Sequence, residues 1–142
     1  MNMLEVFNKV EAHLLAQGVR SIRIFLMQDT CAYRGAGGLR CAVGCLIKDE
    51  AYSRSLEGIP MWDDEKEEDR QMLLEEALIK SGIDLKPAIT YMLSDLQYLH
   101  DRKKPKDWEQ ELQKLRVKYF GIDTSSTYDE KTAIDRHNKQ TG

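Results

Sequence analysis

The 142-residue chain predicts an α+β, mainly helical fold, with about four longer helices and a small β-hairpin or short antiparallel sheet near residues 20–40. Three observations carry that expectation. Apolar residues recur at three- and four-residue spacing in several separate segments, as one buried helix face requires. One early run switches to β-branched and aromatic residues. Glycine and proline stand at the joints between these segments, where helices and strands stop.

Met3, Phe7, Val10 and Leu14 form one stripe over residues 3–16, and Gly18 is placed as the left-handed stop behind it. Arg20 to Met27 reads as a strand, with Ile22, Ile24 and Leu26 on one face. Gln28-Asp29-Thr30 reads as a turn, Cys31 to Arg34 as a second short strand, and Gly35-Ala36-Gly37-Gly38 as a flexible bend. Small residues around the Cys41/Cys45 pair, spaced i, i+4, favour a short helix from Cys41 to Ile47. A loop follows over 53–62, with Gly58 and Pro60. Asp64 and Glu67 then resemble a capping box that opens a helix through about Lys80, ended by Ser81-Gly82. Asp84 and Pro87 open the next helix, because proline in a first turn has no N–H to waste. Its inward stripe is Ile89, Leu93, Leu96 and His100, and Lys103-Lys104-Pro105 breaks it. Trp108, Leu112, Leu115 and Tyr119 mark a last helix ended by Gly121. From Asp123 the chain turns polar and aperiodic. The expected organisation is one globular domain over 1–121 and a polar C-terminal tail over 122–142.

Composition excludes several classes. With 42% hydrophobic and 32% charged residues, the chain is not collagen-like, a disulfide scaffold or fully disordered. No apolar stretch approaches the roughly 18–20 residues that span a bilayer, so no membrane association is expected. The opening MNMLEVFNKVEAHLL, with Glu5 and Glu11, is wrong for a secretory signal. Three cysteines, an odd number, point to a reducing cytoplasm. The net charge of −3 hides three zones: residues 1–48 hold six Lys/Arg against three Asp/Glu, 49–76 hold eleven acids against three bases, and 77–142 are mildly basic. With a pI near 5.7 and no uniformly basic face, non-specific nucleic-acid binding is not expected. The acidic run from Asp63 to Asp69 has two readings, a solvated helix N-terminus or a patch that meets a basic partner.

Chemistry concentrates in two places. Cys31, Cys41, Cys45 and His100 are ligand types that suit a closed tetrahedral zinc site, although the C-x9-C-x3-C spacing lacks a C-x2-C knuckle. The same residues read equally as small buried hydrophobes around a core histidine. In a third reading Cys31 or Cys41 is a nucleophile, with His100 as general base, Asp101 or Asp95 orienting it, and Arg34 or Arg40 lowering the thiol pKa. The second place is Tyr33 to Arg40, where two arginines and a tyrosine around a glycine bend could hold an anion. It is neither a P-loop, lacking Gly-Lys-Ser/Thr, nor a dinucleotide fingerprint. A plain turn carrying solvated arginines is the simpler alternative.

Cys31-Ala-Tyr-Arg-Gly35, Leu39-Arg-Cys-Ala-Val-Gly-Cys-Leu-Ile47, Tyr52, Glu57-Gly58 and Leu96-Gln-Tyr-Leu-His-Asp101 together resemble a set of small phage and prophage proteins. Those carry a C-x-Y-R-G, K-C-A-V-G-x-L-I-P-D-E and L-Q-x-x-H-D pattern. The resemblance covers about residues 5–110, and this chain departs from it at Arg40, where the pattern has lysine, and at Lys48, where it has proline. It implies a phage-encoded accessory protein made in a bacterial cytoplasm, and no named activity. It also implies that Cys31, Tyr33, Arg34, Cys41, Cys45 and His100 share one pocket. The expected function is non-catalytic: binding a host protein or sequestering a small anionic ligand through Tyr33, Arg34, Arg40 and His100, with no cofactor. A thiol-dependent enzyme and a structural zinc domain stand as alternatives.

Overall fold

The computed structural model describes residues 1–25, 28–61 and 68–121. Four α-helices lie among them: α1 (Met3–Gln17), α2 (Glu68–Lys80), α3 (Pro87–Arg102) and α4 (Trp108–Phe120). A two-stranded antiparallel sheet pairs β1 (Ile22–Phe25) with β2 (Gln28–Cys31). The fold is therefore α+β and mainly helical. No helix among the described residues is long and apolar enough to cross a membrane. The polar segment 122–142, and the capping pair Asp64 and Glu67, lie outside the described residues.

The helices follow their stripes. Asn2 caps α1 by accepting the Glu5 N–H at 2.8 Å, and Gly18 ends it at φ 67°. Phe7, Val10 and Leu14 are fully buried with Val6 beside them, and Met3 packs at the edge. Pro87 opens α3, whose Ile89, Leu93, Leu96 and His100 all face inward. Trp108 and Leu112 of α4 are fully buried, while Leu115 and Tyr119 pack partly covered at the rim. α3 lies on α4, and α1 touches both. Leu74, Ala77 and Leu78 of α2 complete the core together with Ala42, Val43, Leu46 and Ile47 from the long loop.

The hairpin departs from the sequence expectation. Phe25 pairs with Gln28 and Ile22 with Cys31, so Gln28-Asp29-Thr30, expected as a turn, is strand. The expected second strand, Cys31–Arg34, lies almost wholly beyond β2. Its donors go elsewhere: Ala32 N–H binds the Ser21 carbonyl at 3.0 Å, and the Tyr33 and Arg34 N–H groups donate to the Glu57 carboxylate at 2.9 and 3.1 Å. A side chain 24 residues along the sequence from Tyr33 thus takes the place of a neighbouring strand. Ile24, expected on one face with Ile22 and Leu26, is 74% exposed.

Cys41–Ile47 is likewise not a regular helix. One α-type bond, Cys45 N–H to the Cys41 carbonyl at 3.1 Å, leads into a single 3-10 turn at Gly44–Leu46. Gly44 is required there by proximity, since a Cβ would sit 2.1 Å from the Tyr33 carbonyl oxygen. That contact presses the Cys41–Ile47 segment against residues 31–33, and so brings Cys31 and Cys41 to one pocket.

Candidate functional site

The groups that the sequence expected together fall into two clusters. The first is built on the last turns of α3. His100 is completely buried, and its ring stacks on Trp108 with centroids 5.6 Å apart. The Ser21 backbone N–H lies 2.9 Å from His100 Nε2. A backbone amide can only donate, so Nε2 is the acceptor and the ring proton sits on Nδ1. Nδ1 accordingly donates to Asp101 Oδ1 at 2.7 Å. The same oxygen accepts Gln97 Nε2 at 2.9 Å, and Gln97 Oε1 accepts the Val43 N–H at 3.0 Å.

Cys31 meets this group from the sheet. Its sulfur, a His100 nitrogen and an Asp101 oxygen lie within 4.8 Å of one another. Burial first, then the charge of Asp101 and a hydrogen bond to it, push the Cys31 thiol up to about 11. The carboxylate therefore stands beside the thiol, and imidazole has no free nitrogen to act as its base. Thiolate is scarce at neutral pH in such surroundings, which is the reverse of nucleophile activation.

Cys31, His100 and Asp101 lie close enough to reach one ion, but a metal on His100 would have to displace a hydrogen bond. Both His100 nitrogens are engaged, one lone pair by Ser21 and one N–H by Asp101, so the ring has none to offer an ion without breaking that arrangement. Cys41 and Cys45, the other expected ligands, are not part of the Cys31/His100/Asp101 group. Cys41 is 1% exposed and its sulfur accepts the Gly44 N–H at 3.3 Å; burial raises its pKa strongly. Cys45 donates to the Ala42 carbonyl at 3.1 Å, and burial holds it at about 12 against the lowering influence of Lys9 and Arg40.

Cys31, Tyr33, Cys41, Pro60, Gln97 and Asp101 line a pocket of about 250 Å³. A second pocket, of about 440 Å³, shares Pro60, Gln97 and Asp101 and extends past Met61, Asp95 and Tyr98. Together they make a cleft between α3 and the loop through Ile59. Of the six residues expected to share a pocket, Cys31, Tyr33 and Cys41 line this one. His100 lies buried behind it, while Arg34 and Cys45 are not among its lining residues.

Arg34 and Arg40 form the second cluster, and an anion's place is already taken there. Both guanidinium groups contact Asp49 Oδ1, at 2.8 and 3.2 Å. Arg34 also donates to the Ile47 carbonyl at 2.9 Å and stacks 4.5 Å above the Tyr52 ring. Tyr52 in turn donates to Glu57 at 2.6 Å, the carboxylate that holds the Tyr33 and Arg34 amides. Tyr33, expected at an anion site, is buried and donates its hydroxyl to the Ile59 carbonyl. Asp95, the alternative orienting acid, binds Lys118 at 2.7 Å and the Tyr119 hydroxyl instead of His100.

Asp49, Glu57, Ser21 and Gln97 received no role from the sequence. Only Gln97 left a local trace, its i, i+4 spacing to Asp101 on one helix face. No protein-family model, curated protein or solved structure matches this chain.

Proposed function

We propose that this chain is a small non-catalytic binding protein, a phage-type accessory factor of the bacterial cytoplasm whose partner is a host protein. The observation that carries the binding site is the cleft along α3, two adjoining pockets joined at Pro60, Gln97 and Asp101. Around it the reactive groups are engaged in holding the fold, which favours recognition over chemistry. Tyr98, 59% exposed on the cleft's rim, is the kind of amphipathic aromatic that anchors protein interfaces. A protein partner is favoured over a small anion because Asp49 already neutralises Arg34 and Arg40 from within.

Affinity capture with the tagged full chain from a bacterial lysate tests this. A species retained by the wild type and by Lys114→Ala, on α4, but lost from Tyr98→Ala supports the reading. Capture of nothing, or of the same species by Tyr98→Ala, overturns it.

A further inference from the structure

Resting on the binding reading, we infer that the α3 cleft receives a basic side chain of the partner, a lysine or arginine, with its cation against the Asp101 carboxylate and its stem along Pro60 and Tyr98. Asp101 is about one-third exposed and its Oδ1 is fixed by Gln97 and His100, so the carboxylate is held in place before any ligand arrives. An apolar wall with one rigid acid suits a long alkyl chain ending in a positive charge.

Of the two acids that line the cleft, Asp95 is already paired with Lys118, so Asp101 is the carboxylate left to meet a cation, and Arg102 is the single base among the described lining residues. Arg20, which also acts on Cys31 electrostatically, is tied to the His100 and Lys103 carbonyls at 3.1 and 2.7 Å. Tyr98, an exposed aromatic lining the same pocket, is of a residue type that attracts cations as well.

The probe is n-butylammonium, a lysine side chain without its backbone, titrated into the ¹⁵N-labelled full chain and followed by amide NMR. Sodium n-butyrate and n-butanol serve as the anionic and neutral counterparts. The expected result is shifts at the Gln97 side-chain amide and at the Cys31 and Asp101 backbones, with n-butylammonium binding about tenfold tighter than n-butanol and n-butyrate not binding. Added salt weakens the ammonium's binding and leaves the alcohol's unchanged. Asp101→Asn removes the preference. Equal binding of ammonium and alcohol, shifts away from the cleft, or an unchanged preference in Asp101→Asn overturns the inference. If that variant does not fold, the salt and probe comparison on the wild type decides alone. A cleft that selects the ammonium in a chain whose captured partner ignores Tyr98 would sink the protein-partner reading and leave the cation pocket standing.

Discussion

The Ser21 backbone N–H points at His100 Nε2 across 2.9 Å, joining the start of the hairpin to the end of α3 over 79 residues of sequence. This contact fixes the imidazole tautomer and aims Nδ1 at Asp101, so that both ring nitrogens are engaged. It makes His100 a structural strut. Its neighbours confirm the load: Arg20, next to Ser21, donates to the His100 carbonyl at 3.1 Å, and Trp108 covers the ring.

Removing the strut costs stability. His100→Ala leaves the Ser21 amide without its acceptor and opens a void beside Trp108, so unfolding in urea shows a loss of about 3 kcal/mol. EDTA leaves the wild-type melting temperature unchanged, and a chelator-dependent shift would restore the zinc reading.

The thiols react slowly. With Cys31 held at about 11, iodoacetamide at neutral pH alkylates it far more slowly than a free cysteine. Asp101→Asn removes the negative neighbour, so Cys31 alkylation accelerates in that variant. A wild-type rate at or above that of free cysteine contradicts this arrangement.

Stability falls at alkaline pH, and the sign follows from the same groups. A thiol whose pKa is raised on folding favours the native state while protonated in both states. That contribution is whole below about 9, the ordinary thiol value, and is lost as pH rises toward about 11 for Cys31 and about 12 for Cys45. The melting temperature therefore declines from pH 9 upward, and Cys45→Ala flattens the decline. An equal slope in that variant would remove Cys45 as a cause.

Two glycines separate close approach from backbone conformation. Gly44→Ala drives a methyl to 2.1 Å from the Tyr33 carbonyl and should cost more than about 3 kcal/mol or prevent folding. Gly37 sits at φ 69° with nothing within 4 Å of an added Cβ, so Gly37→Ala costs only about 1 kcal/mol of left-handed strain. Chemical denaturation of both variants checks the order.

Arg34 outweighs Arg40. Arg34→Ala loses the Ile47 hydrogen bond, the Asp49 contact and the Tyr52 stack, together about 1–2 kcal/mol after allowing for its partial exposure. Arg40→Ala loses one exposed contact to Asp49 and costs less than about 0.5 kcal/mol. Comparable losses in the two variants would contradict the bracing role of Arg34.

The amino-acid order by itself determined the four longer helices, though not the short one expected over Cys41–Ile47. Stripes such as Phe7, Val10 and Leu14, the stops at Gly18 and Gly121, and Pro87 at a first turn act within four residues of their own position, and so each can be read locally. It likewise put His100 on the inward stripe of α3. Its readings stopped at the hairpin register, where polar Gln28-Asp29-Thr30 is strand because cross-strand pairing outweighs local turn preference. Only the tertiary structure decided which groups meet. Asp49 placed on both arginines, Glu57 on the Tyr33 and Arg34 amides, and Ser21 on the imidazole are contacts between distant segments. No periodicity encodes such pairings, because they follow from how the packed helices and the long loop bring separate stretches of chain to the same point in space.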